Sequence, residues 1–311
     1  MVLRGIITIF ISFIFLSLPV YSQTASIGPT VDELIAKRNL ATKTFTNSAV
    51  ILSRRGDVIV DEKGFEKSHF YNAIYIADES AVKDYSKLIS QFNSYYQEKQ
   101  IDFARVITPE GKVIEMQADA ISLVSSNSGD YFDEGKQYEF ALPQLRAGSI
   151  IEYQATTQQI KPYIENEWLP SINWLRIDPV LETKNTLTVP KATDISIVNY
   201  NIEIEPKLTK TTKSKIYTWN TTHQPGIELE MEMPSLDDIL PAIHLSTIKD
   251  WSTINQWFNT LYLPTQKSDK SITELAQTLF HEGMNEHEKI KAVFDYMQKN
   301  VRYIGAHVNR G

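Results

Sequence analysis

No cysteine occurs anywhere in the 311 residues. That excludes disulfides, thiolate metal sites and a thiol nucleophile within them, so a hydrophobic core must hold the fold unaided. Positive charge is also short. Thirty-one Lys and Arg against 38 Asp and Glu leave a net charge of -7, and the cations are scattered rather than striped. No nucleic-acid partner is expected. Long apolar runs are limited to residues 5–20 (GIITIFISFIFLSLPV). No later run is long enough to span a membrane.

That single run has the grammar of a secretory signal peptide. Arg4 supplies the charged start, residues 5–20 the apolar middle, and Val20-Tyr21-Ser22 the small-residue cleavage site. Cleavage after Ser22 leaves Gln23 as the mature N-terminus and places the protein in the periplasm or outside the cell. No Cys follows the run, which rules out a lipoprotein anchor. Roughly 290 residues then remain, a length suited to about two domains.

From residue 24 the pattern VDELIAKRNLA sets Val31, Leu34, Ile35 and Arg38 on one helical face. Beyond residue 47 the texture changes to short β-rich runs separated by turn residues. Residues 49–52 and 58–60 flank Arg54-Arg55-Gly56-Asp57, which reads as a hairpin turn. Residues 103–107 and 112–116 flank Pro109-Glu110-Gly111, where Pro suits the second turn position and Gly a positive φ. Residues 149–155, 185–189, 195–204 and 215–219 continue the series, with 209–214 as a polar hairpin tip. Alternating Glu228, Glu230 and Glu232 with Leu229, Met231 and Met233 reads as a strand with one solvated and one buried face. Many strands and few helices argue for an antiparallel sandwich.

Residues 80–97 fit two periods. Val82, Tyr85, Ile89 and Phe92 recur at helical spacing, whereas Leu88, Ser90 and Phe92 suit a strand; periodicity alone slightly favours the helix. After residue 250 the texture is helical. Asp250 caps a helix carrying Ile254, Trp257, Phe258 and Leu261. Ser271 with Glu274, and Asn285 with Glu288, have capping-box spacing. The last helix lines up Ile290, Val293, Phe294, Met297 and Val301.

Chemistry-bearing motifs are scarce. His281-Glu282-Gly283-Met284-Asn285 begins like H-E-x-x-H, but Asn285 replaces the second ligand and Gly283 ends the helix. His69, His223, His244 and His307 stand apart. No nucleophile elbow, P-loop or dinucleotide fingerprint is present. Asp237-Asp238 and residues 228–232 are acidic, but adjacency does not set the separation that glycosidase carboxylates need. No catalytic, cofactor-binding or metal-ligating residue is assigned, and no cofactor is expected.

Three stretches carry a resemblance: residues 103–115 (FARVITPEGKVIE), residues 142–153 (LPQLRAGSIIEY), and Trp251, Trp257 and Leu261 leading into residues 286–305 (EHEKIKAVFDYMQKNVRYIG). Together they resemble the exported family called domain of unknown function 3857 (DUF3857), followed by the opening helices of a transglutaminase-like domain. The resemblance implies a β-sandwich and a strand over residues 84–93, against the periodicity. It implies in the parent a papain-like Cys, His and Asp triad acting on amide or peptide bonds. Cys, His and Asp of that triad have no counterparts here, so the chain reads as a non-catalytic fragment of such a protein.

The expected fold is therefore mainly β: an antiparallel β-sandwich followed by the first α-helices of an incomplete α+β transglutaminase-like domain. The expected domains are a signal peptide over 1–22, a helical lead-in over 23–46, the sandwich over 47–243, and helices over 244–311 that stop before the catalytic cysteine. Two other readings are a module binding a peptide or cell-envelope glycan through exposed aromatics such as Tyr95, Tyr96, Tyr131 or Phe132, and a structural spacer. Residues 244–311 are expected to be the least stable part.

Overall fold

The computed structural model describes residues 25–126, 131–173, 177–302 and 305–307. Residues 1–22, expected from sequence to be a signal peptide, and the expected cleavage site after Ser22 lie outside the described residues. In chain order the elements are α1 (Val31–Thr44), β1 (Ala49–Val60), β2 (Glu66–Ile76), α2 (Glu79–Asp84), β3 (Lys87–Asn93), β4 (Gln97–Ile107), β5 (Val113–Glu115), β6 (Ile121–Ser125), β7 (Tyr131–Asp133) and β8 (Gly135–Ala141). There follow β9 (Ile150–Gln159), β10 (Ser171–Asn173), β11 (Val180–Pro190), β12 (Ser196–Tyr200), β13 (Lys207–Lys210), β14 (Ser214–Gln224), α3 (Leu236–Ile239), β15 (Ala242–Ser246), α4 (Trp251–Thr265), α5 (Lys270–Leu279), α6 (Glu286–Asn300) and β16 (Gly305–His307).

An eight-stranded sheet, ordered β13-β14-β11-β1-β2-β9-β4-β5, is the frame. It is antiparallel except at its centre, where β1 and β11 run parallel. Two three-stranded sheets, β3-β8-β6 and β10-β15-β12, lie over one face. The first closes a core with Ile51, Ile74, Val106, Phe140 and Ile151. The second closes another with Leu187, Val189, Trp219, Ile243 and Leu245. On the opposite face α1 packs Leu34 and Ala41 against Val50, Leu52, Tyr71, Ala73 and Ile150. The protein is thus mainly β with antiparallel-rich sheets and C-terminal helices, as its strand pattern foretells.

The lead-in is fixed by polar contacts as well as by Leu34. Thr30 and Glu33 form a capping box. Arg38 donates to the carbonyls of Pro109 and Gly148 at 3.2 and 3.1 Å, locking α1 to two turns of the sheet. Ahead of the helix, Gly28 lies flat on the ring of Tyr71. A Cβ at position 28 would stand 2.1 Å from Tyr71 Cε2, and Tyr71 is fully buried. Gly28→Ala is expected to cost about 1–3 kcal/mol by overpacking, measured as a lower urea midpoint at unchanged slope.

Three sequence expectations need correction. Arg54-Arg55-Gly56-Asp57 is no turn: β1 runs straight through it, paired with β2 and β11 along both edges. The chain reverses at Asp61, whose carboxylate accepts from the amides of Lys63 and Phe65. Pairing on two sides outweighs the local turn propensity of Gly-Asp. Residues 228–233 form no strand; Met231 is 96% exposed and Glu232 has a φ of 66°. Without a partner strand, alternation alone does not make a sheet. Helix α5 is capped by Asp269 rather than Ser271, because the Asp269 carboxylate accepts from both the Ser271 hydroxyl and the Ile272 amide.

Other local readings hold. Gly111 adopts a φ of 86° between β4 and β5. The contested stretch resolves into α2 followed by the strand β3, with Leu88 packed inward. Asp250 caps α4, and Asn285 with Glu288 closes a reciprocal capping box on α6.

Candidate binding cleft

The two small sheets do not meet. Between them the middle of the large sheet is left open as the floor of a cleft of about 780 Å³, a volume typical of ligand sites. The floor comes from β1, β2 and β11; Tyr85 and β3 line one wall, and Trp168, Ile172 and Leu245 are among the residues of the other.

Polar residues punctuate this floor. Arg54 is only 7% exposed, and its guanidinium stands over the Phe70 ring, 5.5 Å from the centroid. Gly56 has no side chain because Asn185 lies across it: a Cβ there would come within 2.5 Å of Asn185 Oδ1. Asn72, opposite Arg54 in register, donates from Nδ2 to the Tyr153 hydroxyl at 3.4 Å. Asn72 Oδ1 and Asn185 Nδ2 are buried without hydrogen-bond partners. Leaving an amide group unsatisfied costs about 1–3 kcal/mol. Two on one floor are a standing cost to the fold.

At one end Asp178 accepts a short hydrogen bond from the Tyr85 hydroxyl. Burial pushes the Asp178 carboxyl pKa up, the Tyr85 bond works against that, and the charge of Asp84 adds to the rise. A carboxyl raised in the folded state binds its proton more tightly there than when unfolded. It therefore opposes folding above its folded pKa, and this penalty fades as pH falls through that value. Asp178→Asn is expected to stabilise the protein at pH 7, and the gain should shrink on acidification. Urea midpoints at pH 7 and pH 4 check this; equal midpoint differences at both would refute it. At the other end Glu66 accepts from Trp168 Nε1 at 3.0 Å.

The aromatics expected from sequence lie elsewhere. Tyr96 is buried, stacked on Tyr163 at 4.1 Å and edge-on to Tyr95, and so is not an exposed platform. Lys161 sits over the Tyr95 ring at 3.5 Å. The side chains of Tyr131 and Phe132 lie outside the described residues. His281 bonds the Glu282 carbonyl and Met284 in its own turn, and His69 bonds Thr156. Sequence reasoning passed over Arg54, Asn72 and Asn185. Their signal is a large polar residue set midway in an apolar strand, as in AVILSR and HFYNAIYI.

Residues 63–228, just over half of the chain, match the family described as a Domain of Unknown Function with solved structure, DUF3857. No curated protein matches the sequence. Among solved structures, a candidate protease from Parabacteroides distasonis ATCC 8503 superposes with a TM-score of 0.67 at 17% identity, over 81% of this chain and 50% of that one. This chain thus spans half the length of that protein, and the likeness is one of fold. An M1 zinc metallopeptidase from Deinococcus radiodurans reaches a TM-score of only 0.34 at 12% identity, over 64% of this chain and 42% of that one, and nothing rests on it.

Proposed function

The chain belongs to the DUF3857 family, and from that premise we propose that it is the non-catalytic N-terminal portion of an exported transglutaminase-like protein. The observation that carries this reading is the state of the last helices. None of α4, α5 or α6 has a buried residue. Yet all three have apolar faces, among them Trp251 at 81% exposure, Ile272, Ile290 and Phe294. Faces of this kind mark a surface that another element covers. A papain-like catalytic half built on these helices supplies that cover, and its Cys, His and Asp lie past residue 311. A thiolate there, paired with the His, attacks an amide carbonyl.

The β part, closed on its own cores, serves as the partner module of that half. The coding sequence past residue 311 tests the proposal. It should encode a Cys within the next few dozen codons, followed by His and Asp; an open frame without them refutes it. Export is tested separately. Intact mass of the periplasmic protein should correspond to a chain starting at Gln23, and a membrane-bound form retaining residues 1–22 contradicts it.

A further inference from the structure

We propose that the cleft takes an extended segment of a partner polypeptide as a β-strand, paired with β3 on one side and β10 on the other. The inference stands on the β part alone, whatever follows residue 311. Each small sheet turns an outer strand to the cleft. Among the described residues β3 pairs only with β8, and β10 only with β15. Residues 88–91 of β3 line the cleft, whereas none of the described residues of β6 or β8 does. On the far side Ile172 of β10 and Pro170 just before it line the cleft, and no described residue of β12 does. Side chains of a strand alternate between faces, so four consecutive lining residues mean that β3 meets the cleft edge-on.

The phase of each ladder fixes which backbone groups face the cleft. In an antiparallel pair, residues whose N–H and C=O both face the partner alternate with residues whose groups face away. The Ser94 amide donates to the Glu134 carbonyl at 2.9 Å, on the β8 side. Leu88, Ser90 and Phe92 share that phase, so Lys87, Ile89 and Gln91 face away from β8. Lys99 Nζ donates to the Gln91 carbonyl at 2.8 Å, which places that group outward independently. Across the cleft the Leu245 amide donates to the Pro170 carbonyl at 3.1 Å. Ile172 therefore faces β15, while the backbone groups of Ser171 and Asn173 face away from it.

Two strand edges on either side of one cleft define the ligand class. A polypeptide strand carries N–H and C=O groups along both of its edges, at the spacing of a ladder. Main-chain pairing with a sheet edge is a general mode of peptide recognition. Here the guest strand joins the two small sheets into one layer over the large sheet. Its alternate side chains meet Val58, Phe70, Ile74 and Leu187 on the floor, which selects apolar residues at every second position. The intervening side chains point to solvent. An acyl chain suits the same floor but leaves both edges unpaired.

The test uses the full chain and a pool of octapeptides, acetylated and amidated at their ends, with Val, Leu or Phe at even positions and Thr or Gln at odd ones. Two derived pools carry N-methyl groups at every even or every odd position, which removes the donors of one edge or the other. Dodecanoate is the fourth probe. Retention of the parent pool is expected to exceed that of each methylated pool by roughly tenfold or more. Its binding should slow hydrogen exchange at the amides of both Ile89 and Ser171. Ile89→Pro should abolish binding and leave the fold intact, because that N–H faces away from β8 and the side chain is exposed. The methylated pools keep the claim testable on unaltered protein if that variant does not fold. No retention of the parent pool, a loss with only one methylated pool, protection at only one of the two amides, or dodecanoate held as tightly as peptide each overturns the proposal.

Discussion

Glu152→Leu is expected to destabilise the fold by about 3 kcal/mol, the low end of the range for orphaning one member of a buried ion pair. Glu152 is completely buried in β9 beneath the lead-in. Arg105 Nε donates to one of its oxygens at 2.6 Å and the Tyr71 hydroxyl to the other at 3.0 Å. Burial pulls the Arg105 pKa down, but the bonds and charges of Glu152 and Glu115 outweigh it and hold the guanidinium charged. Burial and the adjacent carboxylate push the Tyr71 hydroxyl far up, so it stays a donor at every working pH.

Removing the carboxylate leaves a charged guanidinium and a buried phenol facing leucine. The cost falls short of the full range because Arg105 keeps Glu115 at 3.2 Å and some contact with water. Glu115→Ala, on the exposed side of the same guanidinium, should cost under about 1 kcal/mol. Urea unfolding of the two variants checks the contrast. Equal losses would mean that Glu152 is no more tightly held than a surface residue.

That same carboxylate shows where sequence reading stops. In SIIEYQAT the polar residues alternate with apolar ones, which reads as a sheet with one wet face. Glu152 and Gln154 are instead fully buried, since residues 25–30 and α1 cover that face. Gln154 bonds Asp102 and the Ile27 amide, and Thr156 bonds Asp102. The cover comes from more than a hundred residues away, so no local period reveals it. What was legible is local chemistry. The Asn285–Glu288 box and the Pro109-Glu110-Gly111 turn depend only on neighbours and formed as read.

The cleft was illegible for the opposite reason. Its central residues, Arg54 and Gly56, sit in a stretch whose local signal is a turn. Only pairing along both edges, with β2 and with β11 some 130 positions along the chain, straightens it into a floor. Strand β3 is the intermediate case: helical and strand periods coexist in it. Its pairing with β8, from Lys87 opposite Ala141 to Asn93 opposite Gly135, decides between them.

The largest contrast expected in this protein is one of local stability. The β part closes three cores of its own, with Trp219, Tyr71 and Phe140 among its fully buried side chains. Helices α4, α5 and α6 have no fully buried residue, and α6 makes only slight contact with α5. Capping supports them: Asn285 and Glu288 satisfy two amides of α6, and Lys291 pairs with Asp295 one turn on. These increments are small, about 1 kcal/mol for a cap and under 0.5 for an exposed pair. An isolated helix of about 15 residues is marginal in water even with such help.

Opening of β9 therefore requires global unfolding, roughly 5–15 kcal/mol for a domain of this kind, whereas α6 opens on its own at close to no cost. Amide hydrogen exchange on residues 23–311 measures both at once. The account predicts that the amides of β9, Tyr153 among them, exchange at least a thousandfold more slowly, relative to their unprotected rates, than those of α6, a factor equivalent to about 4 kcal/mol. Equal protection of β9 and α6 would contradict it, because the helices would then be packed as firmly as the sheet and would await no further core.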